Sequence, residues 1–182
     1  MSGLSSEKDL NVCADCHVAE VAGYYDSQHK KKGVLTCLGC HDVHAGSKAS
    51  PNVKNNDVCL RCHNDMGFGD DIAVEAHTFH AVDPVETRAS RCVTCHLPPL
   101  WRNDARLTHS LWPVSPRDTV EQIDAGLNPR PNSCVGVPGC HDGTVVTAPV
   151  FTLESRYDNE LARILYEDRY GSAMAGDDIA VK

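Results

Sequence analysis

Val34-Leu35-Thr36-Cys37-Leu38-Gly39-Cys40-His41-Asp42-Val43-His44 carries the pattern around which the chain is organised. Cys37 and Cys40 stand three apart and His41 follows at once, the covalent attachment signature of a c-type haem. Helical geometry accounts for the spacing, because side chains at i, i+3 and i+4 share one face of a turn. Two thiols then reach the two vinyl groups of one porphyrin while the adjacent imidazole reaches its iron. His44 lies only three residues beyond His41, which already occupies one side of that ring. It is therefore read as an axial ligand to a different haem, an arrangement that makes sense only in an array.

Outward from this stretch the signature recurs at Cys13, Cys16 and His17, at Cys59, Cys62 and His63, and at Cys92, Cys95 and His96. A stretched fifth version runs from Cys134 to Cys140 and His141, with Val-Gly-Val-Pro-Gly between the cysteines. Glycine and proline make that insert turn-forming, so looping it out leaves the sulfurs near their usual separation. The competing reading there is a Cys134–Cys140 disulfide with His141 an ordinary surface residue.

All ten cysteines are used by this count. The ten histidines divide evenly: His17, His41, His63, His96 and His141 are proximal, leaving His29, His44, His77, His80 and His109 as distal ligands. Five haem c groups with two axial imidazoles each need that total. Zinc is the rival, since paired cysteines are ordinary zinc ligands. Zinc does not require a histidine directly after each second cysteine, whereas covalent haem does. With histidine at roughly one residue in eighteen, five such adjacencies are not a chance outcome.

Composition agrees. The 182 residues suggest one domain, yet three Phe, two Trp and five Tyr make a thin polypeptide core. At about 36 residues per attachment site, conventional layers of helix and sheet have little chain to work with, and the cofactors must serve as the core. A net charge of −8, made more negative by haem propionates, argues against a nucleic-acid partner. No run approaches the ~20 apolar residues of a membrane span. The polar start, Met1 to Leu10, lacks the apolar core of a signal peptide, so the numbering is expected to begin at or near a mature N-terminus.

The first cysteines are spaced by 24, 22, 33 and 42 residues, an irregular repeat. A short helix is expected over Val18 to Tyr25, and a second over Asp70 to Ala81 with His77 and His80 on one face. Lys30 to Lys32 reads as a solvated charge run, or as a docking patch or propionate partner. Pro98 and Pro99 stop any helix, and the run to Asn132, with His109 in it, is expected to be mostly extended. Beyond Gly143, Thr144 to Leu153 looks extended and broken by Pro149. Ser155 is an N-cap candidate for a helix from Arg156 to Tyr170 with Tyr157, Leu161, Ile164, Leu165 and Tyr166 as its apolar stripe. That stripe packs either on the chain's own haem array or on another subunit.

Two imidazoles saturate an iron and leave no position for substrate, so the expected role is electron transfer rather than catalysis. A methionine ligand would raise the potential; Met66 is read as an ordinary side chain. His-Thr-Phe-His at 77–80, Arg91 to Pro99, the His109 to Arg117 segment and Pro-Asn-Ser-Cys at 131–134 together resemble multihaem c-type cytochromes of the group that includes the tetrahaem cytochrome of ammonia oxidisers. The N-terminal part is similar to a wider set, including pentahaem electron donors of nitrite reductase and filament-forming extracellular cytochromes. The resemblance implies histidine pairs serving stacked haems and a role in conduction.

The expected fold is mostly irregular with short α-helices, wrapped around a haem array with little β structure. Residues 1–142 form the pentahaem-binding region, and 143–182 a haem-free strand-like segment, helix and tail, either part of the same domain or a subunit-contact appendage. The expected function is electron transfer as a periplasmic shuttle or an extracellular conductive filament subunit. Its partners are redox proteins, an extracellular acceptor or further copies of the chain. The alternative is a multihaem oxidoreductase with one open haem acting on a small nitrogen or sulfur compound.

Overall fold

The computed structural model describes residues 7–42, 56–64, 69–82, 88–100, 106–134, 141, 143, 149–152 and 155–171. His44, Met66 and Cys140 fall outside the described residues, as does most of 144–154. The described residues are helical or irregular and contain no β-strand. The chain divides into two compact units, Met1–Leu97 with Leu107–Trp112, and Pro98–Arg106 with Pro113–Lys182.

In the first unit α1 (Glu7–Ala14), α2 (Val18–Asp26) and α3 (Gln28–Lys31) follow in quick succession. Leu10 of α1 and Val21 and Tyr24 of α2 are buried, and the Tyr24 hydroxyl donates to the Leu35 carbonyl. Ser27, fully buried, ends α2 and caps α3 by accepting from Lys30 N–H at 3.2 Å. Four further helices are short: α4 (Cys37–Cys40), α5 (Asp57–His63), α6 (Asp71–Thr78) and α7 (Cys92–His96), the last preceded by a 3-10 turn at Arg88–Ser90. Three of them lie on attachment motifs.

Two expectations about helices here need correction. Asp70 does cap α6, accepting from Ala73 N–H at 2.8 Å, but Phe79 adopts a left-handed φ of 58° and ends the helix. Glu75 then turns its carboxylate onto Val82 N–H at 2.7 Å, which holds the chain in the departing direction. His77 is therefore helical and His80 is not, so the two do not share a helix face. The segment before Asn132 also contains α8 (Pro116–Asp124), which Pro116 begins rather than breaks. Proline at the first helical position loses no hydrogen bond, and Ser115 with Asp118 forms a reciprocal capping box.

The second unit is built on α8 against α9 (Arg156–Tyr170), with bounds and Ser155 cap as the sequence implies. Arg117 of α8 pairs with Glu167 of α9, and Arg156 with Asp124. The face of α9 turned inward differs from expectation. Asn159 and Ala162 are buried, while Tyr157, Ile164 and Leu165 are 75%, 54% and 41% exposed. A polar network explains the shift. Asn159 donates to Ser155 O at 2.8 Å and accepts from Asn132 at 3.2 Å, and Asn132 in turn donates to Thr119 Oγ1 at 3.3 Å and accepts from Cys134 N–H at 3.0 Å. Periodicity tracks apolar residues and does not see a helix anchored through an asparagine.

Asn159 and Asn132 are fully buried, so their hydrogen bonds have no water to replace them. Replacing Asn159 by leucine is expected to cost about 1–3 kcal/mol for each polar group left unpaired. Urea denaturation followed by far-UV circular dichroism measures it; an unchanged midpoint contradicts this account of how α9 is held.

Candidate haem sites

Each described attachment motif sits on a helical turn, as the spacing requires. His17 N–H bonds the Cys13 carbonyl at 2.8 Å and His41 N–H that of Cys37 at 2.9 Å, while Cys59 to His63 and Cys92 to His96 lie wholly within α5 and α7. Cysteines and histidine thus project from one short turn.

Histidines distant in sequence meet in pairs. The ring centres of His41 and His109 are 6.3 Å apart with planes at 31°, those of His77 and His96 are 6.3 Å apart at 19°, and those of His29 and His63 are 5.9 Å apart at 89°. With a metal–imidazole bond of about 2.0–2.1 Å and a ring centre roughly 1.1 Å behind its nitrogen, imidazoles on opposite sides of one metal have centres about 6.3 Å apart. Direct ring contact would be closer. Each pair joins a histidine of an attachment motif to one outside any motif.

The outer atoms fit the same purpose. Nδ1 of His96 faces the Leu111 carbonyl at 2.9 Å, that of His109 the Leu107 carbonyl at 3.0 Å, and that of His141 the Pro149 carbonyl at 2.8 Å. A carbonyl only accepts, so Nδ1 carries the proton and Nε2 keeps its lone pair for a metal. Leu111 takes a left-handed φ of 60° in presenting that carbonyl. His29 Nδ1 is buried with no hydrogen-bond partner among the described residues. Burial, and then the neighbouring His63, His96 or His41, pushes His29, His77 and His109 below the usual imidazole range; for His109 the Leu107 carbonyl opposes that shift. Neutral imidazole is the ligating form. Exposed Val12 and Val18 flank the first motif and Val34 precedes the second, offering apolar surface beside the places a porphyrin would lie.

His80 is exposed, its Nδ1 at 2.6 Å from the Thr78 carbonyl, and His17 is exposed beside Glu20. At the fifth motif, Cys134 packs against Phe151 and Ala162, the His141 ring lies 4.9 Å from that of Phe151, and Phe151 N–H bonds the His141 carbonyl at 2.7 Å. Residues of the C-terminal segment thus supply the surroundings of the fifth motif.

A family model described as "Doubled CXXCH motif" matches residues 29–68, spanning His29, the second and third motifs and His44. The chain is a multihaem c-type cytochrome. The doubled motif signifies covalently bound haem c. The cytochrome is also similar to "Multiheme cytochrome MtrA" of Shewanella baltica (strain OS185), 27% identical over 100 residues, which is 53% of this chain and 27% of that relative. It thus aligns with about a quarter of the relative's length. No solved structure matches it.

Two positions in the cytochrome that the motifs did not flag matter to this geometry. Asn56 bridges two attachment helices through its side chain. Gly23 lets the His109 strand of chain pass over α2: a Cβ there would lie 2.9 Å from the His109 backbone nitrogen and 3.3 Å from that of Ser110. Replacing Gly23 by valine is expected to push His109 away from His41 and convert one haem to the high-spin form without changing the haem count. Visible spectroscopy and intact mass check it; a fully low-spin spectrum contradicts it.

Proposed function

We propose that this cytochrome conducts electrons through five covalently bound haems, each closed by two histidines. The observation that carries the reading is the set of histidine pairs at metal-spanning distance, which leaves those irons no position for substrate. The second site takes His41 with His109, the third His63 with His29, and the fourth His96 with His77. His44 and His80 then remain for the first and fifth sites, whose proximal residues are His17 and His141. When bound, each haem supplies a one-electron ferric–ferrous couple. The polypeptide biases His29, His77 and His109 toward the neutral form, presents Nε2 of His96, His109 and His141 by tying Nδ1 to carbonyls, and tunes each site through burial and nearby charge.

Covalent haem c is attached outside the cytoplasm, so we place the chain in the periplasm or outside the cell; no helix among the described residues is long and apolar enough to cross a membrane. Partners are other redox proteins or an extracellular acceptor, in keeping with the similarity to a multihaem cytochrome. The conduit serves as a shuttle or as a filament subunit. The exposed Tyr157, Ile164 and Leu165 on α9 favour contact with a further copy, and contacts that do not close generate filaments.

Replacing His29, His77 or His109 by alanine is expected to open one iron each, giving a high-spin signal at the third, fourth or second haem with intact mass unchanged. A low-spin spectrum after any of these changes contradicts that pairing. Intact mass of the unmodified protein is expected to show five haems; four, with Cys134 and Cys140 disulfide-linked, removes the fifth. Electron microscopy of concentrated protein tests the filament: ordered fibres lost in I164E/L165E support it, and dispersed monomers contradict it. Rapid turnover of nitrite or hydroxylamine would instead establish an enzyme with an open haem.

A further inference from the structure

The third and fourth attachment helices are joined by one side chain. Asn56 immediately precedes α5, and its carboxamide reaches across 36 residues of sequence to the start of α7. Its Oδ1 accepts from Cys92 N–H at 2.8 Å, and its Nδ2 donates to the Ser90 carbonyl at 3.0 Å. At the same time its own carbonyl accepts from Cys59 N–H and Leu60 N–H, both at 2.9 Å. Its main chain thus closes the first turn of α5, while its side chain satisfies a backbone donor at the beginning of α7 that a helix cannot satisfy by itself.

We propose that Asn56 is a positioning residue that sets the separation of the third and fourth haems, so that the two irons reduce as an interacting pair. The inference rests on the haem reading above. Its geometric consequence is visible in the thiols: Cys59 and Cys92, the first attachment points of the two sites, are neighbours close enough to interact. A thioether at each of these sulfurs brings one edge of each porphyrin to the same place. Cys40 of the second site also lies beside Cys59 and Cys62, whereas the third and fourth sites are joined directly by the Asn56 side chain. Each iron takes one electron from an added reductant such as dithionite, and no bond forms or breaks. Charge placed on one site then disfavours charge on its neighbour, and the effect is large only where the sites are close and shielded from water.

The test is a potentiometric titration of the haem-loaded full chain, followed in the visible spectrum, as a double-mutant cycle. Asn56→Ala is expected to keep the haem count by intact mass and to narrow the potential range over which the haems reduce. In a C92A/C95A background, which lacks the fourth haem, the same change is expected to leave the titration unaltered. A titration unchanged by Asn56→Ala overturns the proposal, and so does an equal effect in the background without the fourth haem. Should Asn56→Ala load fewer haems, the C92A/C95A chain decides: removing the fourth haem must shift the remaining titration beyond the loss of one component, and a simple loss overturns the proposal. Were the chain to bind no haem at the third and fourth motifs, intact mass of the unmodified protein would show it, which separates failure of the underlying reading from failure of the role given to Asn56.

Discussion

Two imidazoles held one metal's width apart is the constraint on which the first unit depends. Neither ring of such a pair makes a good contact with the other, so the polypeptide must hold each from behind. It does so with carbonyls on Nδ1, as at His96 and His109, and with short helical turns tied to distant chain by side-chain hydrogen bonds, as Asn56 ties α5 to α7. His29 is the exception, its Nδ1 buried with no hydrogen-bond partner among the described residues. A helix of four or five residues is not stable alone; α4 and α7 persist because flanking backbone and side chains fix their ends. The proposed haems account for the scarcity of apolar core, since they would supply the apolar bulk that the side chains do not.

The second unit answers to a different rule. There a buried asparagine network, Asn159 to Asn132 to Thr119, ties α9 to the loop that carries Cys134. Burying polar groups is tolerable only when they are paired, and here the pairing runs straight to Cys134, the first cysteine of the stretched fifth motif. Helix α9 is thereby part of how that cysteine is placed. Its apolar residues, Tyr157, Ile164 and Leu165, are left facing outward.

The attachment turns were legible in the sequence because chemistry dictates their spacing: two thioethers and an adjacent imidazole admit one local geometry. The α9 bounds were legible too, through the Ser155 cap. Which distal histidine meets which proximal one was not, because the pairs are made by chain segments that cross, as the His109 segment crosses α2 over Gly23. Grouping His77 with His80 failed because Phe79 turns left-handed between them, an outcome governed by Glu75 and Val82 rather than by helical periodicity. The missed α8 shows proline acting as a helix starter beside a capping serine, a local signal present in Ser115 to Asp118 and outweighed by the density of prolines around it. Asn56 offers no motif at all; its role exists only once α5 and α7 are side by side.

The pairing geometry reaches directly into the ferric spectrum. Perpendicular imidazole planes leave two iron d orbitals nearly degenerate and give a highly anisotropic low-spin resonance, whereas nearly parallel planes give a rhombic one. Low-temperature electron paramagnetic resonance of the unmodified, fully oxidised protein therefore tests the central claim. With planes at 89° for His29 and His63 and at 19° for His77 and His96, both signal types are expected together and no high-spin iron. A prominent high-spin resonance, or low-spin signals of the rhombic type alone, would contradict the account.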